Sequence, residues 1–120
     1  MGEERRRTVR VRAYRPVQLH RLSHFGIVET LTKDLGTDGL RVLSPTLFPV
    51  STELEVEFGL SNGEEPITAK ARAVWFKTLP ESEQFDIGII FSDISPQNKR
   101  RLSMYLDRLS RQTASVLASP

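Results

Sequence analysis

The sequence contains no cysteine, so disulfides, thiolate nucleophiles and thiolate-bound metals are excluded. No apolar run approaches the ~20 residues that a membrane-spanning helix needs, so no membrane association is expected. The start of the chain is charged and lacks the apolar stretch of a secretory signal, which favours the cytoplasm. No glycine-rich phosphate loop ending in lysine is present, no Ser/His/Asp grouping stands out, and the carboxylates are dispersed over polar positions. An enzyme is therefore not expected. Histidine is scarce too. His20 and His24 are spaced as metal ligands on a helix would be, but they fall at a strand end and in a loop with Ser23 and Gly26, without matching carboxylates, so no metal centre is expected.

What is present is arginine, unevenly placed. The formal net charge of +2 hides a balance of +5 over residues 1–21, where arginines 5, 6, 7, 10, 12, 15 and 21 face Glu3 and Glu4, against −3 over the rest of the chain. Such asymmetry points to a local anionic partner rather than to a uniformly basic surface. A guanidinium is a planar, permanently charged fork. It can grip phosphate or the acceptor edge of guanine through two hydrogen bonds and can stack on a ring.

At 120 residues and 38% hydrophobic content, the chain suits one domain with its own core. From Thr8 to Leu19, Val9, Val11, Ala13, Val17 and Leu19 alternate with polar residues, predicting a half-buried strand with an edge or bulge at Pro16. Further strands are predicted over Phe25–Lys33 and Gly39–Leu43, joined by a turn from Asp34 to Asp38 in which Asp38 and Gly39 tolerate positive φ. Glu53–Phe58 alternates cleanly, Asn62-Gly63 signals a hairpin, and strands follow over Ile67–Lys77 and Phe85–Phe91. Trp75 and the phenylalanines read as core.

Ser95-Pro96 then offers a helix N-cap and a first-turn proline. Leu102, Tyr105, Leu106 and Leu109 recur at helical spacing, predicting an amphipathic helix from Pro96 to about Arg111 that caps the strands, with residues 112–120 as a frayed tail. About six strands, hairpin turns and one terminal helix indicate a mainly β domain, a small antiparallel barrel. The expected organisation is a flexible basic arm over residues 1–12, a barrel and helix over 8–111, and the tail.

Arg6-Arg7-Thr8-Val9-Arg10 followed by Asp34-Leu35-Gly36-Thr37-Asp38-Gly39, in a β-rich chain of this length, resembles the PilZ domain family, whose pattern is RxxxR and then [D/N]xSxxG. Ala73-Val74-Trp75 and Ile87-Gly88-Ile89-Ile90-Phe91 resemble the family's closing strands, so the likeness covers nearly the whole chain. Each motif alone is weak; their order and spacing carry the signal.

The resemblance implies a six-stranded antiparallel barrel with a C-terminal capping helix, no cofactor, and cyclic di-GMP as the ligand. It implies that Arg6 and Arg10 contact phosphate and guanine, that Asp34 takes the donor edge of guanine, and that Gly39 lets the backbone approach the ligand. The residue before the first motif arginine, Arg5, is implied to influence stoichiometry, with an intercalated ligand pair expected. Gly36 departs from the motif serine; losing that hydroxyl costs about 0.5–1.5 kcal/mol, or up to roughly tenfold in affinity. The implied function is a receptor that orders its arginine arm on the ligand and signals to an effector protein in motility or biofilm control. The alternative is a divergent domain without nucleotide binding that acts as a protein-interaction module in motility or surface polysaccharide control. Single-stranded nucleic acid is disfavoured by the −3 balance beyond residue 21 and by the lack of a row of exposed aromatics.

Overall fold

The computed structural model describes residues 10–61 and 63–118, with side chains through residue 112. Seven strands and one helix follow in order: β1 (Arg10–Arg12), β2 (Pro16–Arg21), β3 (Val28–Gly36), β4 (Gly39–Ser44), β5 (Glu53–Phe58), β6 (Ile67–Leu79), β7 (Gln84–Asp93) and α1 (Pro96–Ala118). Strands β2 to β7 close an antiparallel six-stranded barrel in the order β3-β2-β5-β6-β7-β4, with β4 pairing back onto β3. β1 extends one seam, pairing with the end of β3 that β2 does not reach.

The single strand predicted over residues 8–19 is broken at residues 13–15, immediately before Pro16, which opens β2 without a backbone donor. The break is mended by Thr32, which is fully buried. Its Oγ1 accepts from Arg15 N at 2.9 Å and donates to Ala13 O at 2.6 Å, while its own N–H donates to Arg15 O at 2.8 Å. One hydroxyl thus replaces ladder bonds that the irregular backbone cannot make.

The core follows the alternation. Val17, Leu19, Leu54, Val56, Phe58, Ile67, Ala69, Ala71, Ala73, Ile87 and Ile89 point inward and are buried. Phe48 joins them from the loop after β4, and Phe58 stacks on the partly buried Phe91 with ring centroids 6.2 Å apart. Three aromatic expectations are corrected, Phe76 on β6 being one of them at 43% exposed. Phe25 is fully exposed in the turn before β3, where Gly26 at φ 96° reverses the chain, so β3 begins at Val28 instead of Phe25. Trp75 is 42% exposed because the β6–β7 register shifts between Ala73 and Trp75, which turns the indole out of the barrel.

The hairpin expected at Asn62-Gly63 joins β5 to β6, through a connection from Gly59 to Pro66. It is anchored rather than tight: Arg15 Nε donates to Gly59 O, Leu60 is buried, and Arg101 Nη2 donates to Glu65 O. Gly63 takes φ 84° within it, and Asn62 lies outside the described residues.

Ser95 caps α1 as its sequence predicts, its Oγ accepting from Asn98 N at 3.0 Å. Leu102 and Leu106 are buried against the barrel, and the helix packs on β1 and β3. It runs past Arg111 to Ala118, into the segment expected to fray. Residues 10–12 of the expected arm form β1. Among the described residues, no helix is long and apolar enough to cross a membrane.

Thr32→Val keeps the shape of the side chain but strands the Arg15 N–H and the Ala13 carbonyl. Its expected cost is roughly 1–3 kcal/mol in chemical denaturation. An unchanged midpoint would show that the seam holds without the hydroxyl.

Candidate functional site

One row of residues crosses the outer face of the barrel. Arg12 on β1 sits opposite Asp34 on β3, Asp34 opposite Arg41 on β4, Arg41 opposite Gly88 on β7, and Gly88 opposite Trp75 on β6. Their sequence neighbours Leu35, Leu40, Ile87 and Ile89 are buried, so alternation turns the row outward. Cross-strand and diagonal neighbours on one face lie within side-chain reach, which lets charges on four strands, β1, β3, β4 and β7, act as one cluster.

Asp34 is the centre of that cluster. Arg10 Nη2 donates to its Oδ1 at 2.7 Å, and Arg41 Nε lies 2.9 Å from its Oδ2. Arg41 also reaches Asp86 on β7, its Nη1 donating to Oδ2 at 3.3 Å, and Lys33 Nζ sits 3.7 Å from the same oxygen. Three cations therefore face two carboxylates, leaving one positive charge in surplus. The hydrogen bonding is less complete than the charge pairing. The Arg41 Nε–H is not aimed at Asp34 Oδ2, and both Arg41 Nε and Asp86 Oδ1 are buried without a hydrogen-bond partner.

A cleft of about 430 Å³ opens on this row, lined by Arg10, Asp34, Arg41, Val74, Trp75, Gly88, Ile89 and Ile90. That volume is in the range that holds a small organic ligand. Guanidinium groups at one end and an exposed indole at the other offer bidentate hydrogen bonds and a stacking plane. Two larger hollows, of about 670 and 480 Å³, flank α1; the first touches the motif segment only at Thr37 and the second not at all. Both are lined by charged residues as well, but only the 430 Å³ cleft unites the motif residues Arg10 and Asp34 with an exposed indole, so it is the candidate site.

The predicted site residues are distributed as follows. Arg10 and Asp34 meet in the cleft. Arg5 and Arg6 lie outside the described residues. Gly36 is buried in β3 as the ladder partner of Arg10 and does not line the cleft. Asp34 stands within β3, not in a turn, and the turn itself is confined to Thr37 and Asp38. Gly39 is buried at the start of β4 without positive φ, contrary to the turn chemistry expected of it. Its lack of a side chain serves strand packing: a Cβ there would lie 2.1 Å from Ile89 O.

Sequence reasoning missed Arg41, Trp75 and Gly88. Arg41 could have been found by parity, since it is two residues beyond Gly39 on an alternating strand. Trp75 could not, because a register shift sets its direction. Gly88 is the seat for the indole; a Cβ on it would lie 2.1 Å from Trp75 Nε1.

A small barrel thus carries a cleft that combines guanidinium, carboxylate and indole groups. The family comparison is specific: the PilZ domain model matches residues 4–108, and the chain belongs to the PilZ domain family. Solved structures agree on the fold. The inhibitor of motility of Bacillus subtilis (MotI/DgrA) is 19% identical with a TM-score of 0.77; it is matched over 88% of this chain and 51% of its own, so the chain spans about half its length. The PilZ domain of YcgR from Escherichia coli, solved with c-di-GMP, is 19% identical with a TM-score of 0.68, covering 92% of this chain and 98% of that one. The PilZ domain of CeSA from a cellulose-synthesizing bacterium is 20% identical with a TM-score of 0.56, covering 84% and 93%. No curated protein matches the sequence significantly.

The two glycines separate packing from site geometry. Gly39→Ala sets a methyl group against a backbone carbonyl and is expected to destabilise the barrel by about 1–3 kcal/mol. Gly88→Ala meets only a half-exposed indole, which can move, so its expected signature is a shifted emission maximum of the single tryptophan with a smaller stability change. Equal stability losses in thermal unfolding, with unaltered emission for Gly88→Ala, would contradict this assignment.

Proposed function

We propose that this domain binds cyclic di-GMP in the cleft between β1, β3, β4, β6 and β7, and reports it to a partner protein. The observation that carries the reading is the row of Arg10, Asp34 and Arg41 beside the exposed Trp75, in a family one of whose members is solved with c-di-GMP. Arg10 takes phosphate or the guanine O6/N7 edge, Asp34 accepts from the guanine donor edge, and Trp75 gives a base a stacking plane. Residues 1–9, which carry Arg5 and Arg6, close over the ligand from Arg10 outward. That closure builds a new surface next to α1, because the helix packs on β1 and β3. The chain acts as a cytoplasmic receptor, not a catalyst. The motility inhibitor and the cellulose-related domain among its structural neighbours support a role in motility or surface polysaccharide control.

A second reading rests on Gly36. The residue is buried opposite Arg10 and supplies no hydroxyl, which favours an interaction module that has lost nucleotide binding.

Calorimetry with cyclic di-GMP at moderate salt, with GTP as control, separates the two. The receptor reading expects saturable binding of the cyclic dinucleotide alone. Arg10→Ala and Asp34→Ala each remove charge-assisted hydrogen bonds and are expected to weaken it roughly ten- to hundredfold. Trp75→Ala loses one stacking partner, worth about 1–3 kcal/mol. Absence of binding by the wild-type chain, or full binding by both charge variants, would sink the receptor reading.

A further inference from the structure

Each oxygen of Asp34 already faces a guanidinium, so a guanine edge must compete with Arg10 and Arg41 for the carboxylate. Arg10 can leave it for phosphate. Arg41 needs somewhere else to go, since a guanidinium separated from its carboxylate in a partly covered site loses more than it would in water. Asp86 is that place. Its side chain is 8% exposed, it does not line the cleft, and its Oδ2 is already within 3.3 Å of Arg41 Nη1. Its Oδ1 is buried without a hydrogen-bond partner, and so is the Arg41 Nε. Each group therefore holds an unmade hydrogen bond that a shift of Arg41 toward Asp86 can form.

We propose that Arg41 exchanges carboxylates during binding: it spans Asp34 and Asp86 when the cleft is empty and settles on Asp86 when Asp34 takes the ligand. Asp86 is then a positioning residue that governs affinity from outside the cleft. Lys33, 3.7 Å from Asp86 Oδ2, limits the exchange by holding part of the Asp86 charge. Arg41 is drawn to Asp86 chiefly through the free Oδ1, the side of the carboxylate that Lys33 leaves open.

This inference rests on the receptor reading, and a double-mutant cycle with cyclic di-GMP distinguishes the two. Asp86→Asn keeps the shape but removes the charge that draws Arg41 away, so binding weakens by about tenfold. In an Arg41→Gln background there is no guanidinium to relocate, and adding Asp86→Asn changes affinity by less than about threefold. Wild-type binding with an unaffected Asp86→Asn variant, or an equal loss in both backgrounds, overturns the exchange and leaves the receptor reading intact. No binding by the wild-type chain removes both. Should Asp86→Asn fail to fold, the wild-type protein still decides. The Arg41 Nε–H resonance, assigned through Arg41→Gln, shifts on saturation with cyclic di-GMP if Arg41 moves, and an unchanged resonance contradicts the exchange.

Discussion

Everything distinctive about the outer face depends on β4 pairing on both of its edges, with β3 on one side and β7 on the other. That insertion closes the barrel, and it sets Arg41 between Asp34 and Gly88. Without it Arg10 and Asp34 on one side and Trp75 on its Gly88 seat on the other would be separate patches. The constraint reaches down to single atoms. Gly39 must lack a side chain for β4 to lie against the Ile89 carbonyl, so a residue that looks like part of a ligand motif also determines whether the site exists.

The charges on that face are paired but incompletely hydrogen-bonded. A fully satisfied network would rigidify the cleft, since buried polar groups with complete partners resist displacement. Here the ion pairs are in place while Arg41 Nε and Asp86 Oδ1 lack hydrogen bonds. The surplus positive charge favours an anion, and the two carboxylates hold the guanidinium groups in place. β1 and β3, which carry Arg10 and Asp34, also support α1.

Much of the barrel was legible in the sequence because its strands have one buried face, and period-two alternation reports that directly. Glu53–Phe58 is the clearest case: every second residue is buried, as its pattern states. The helix cap at Ser95 and the Leu102 and Leu106 stripe were equally open to reading. What alternation cannot report is a change of phase. The break at residues 13–15 depends on the hydroxyl of Thr32, 17 residues beyond Arg15, and the outward turn of Trp75 depends on a register shift against β7. Both are long-range facts. For the same reason Gly39 reads from the sequence as a positive-φ turn residue, whereas its missing side chain answers to a neighbouring strand. Arg10 and Asp34 were legible as a pair through the family resemblance; their direct contact needed the β1–β3 register.

The central claim is that the ligand occupies the cleft lined by Trp75, and the chain's single tryptophan makes this directly observable. The decisive measurement is a fluorescence titration of the wild-type protein with cyclic di-GMP, run beside calorimetry on the same sample. A base stacked on the exposed indole produces a saturable change in emission whose midpoint coincides with the calorimetric one. Calorimetric binding with no change in emission would place the ligand elsewhere and contradict the account.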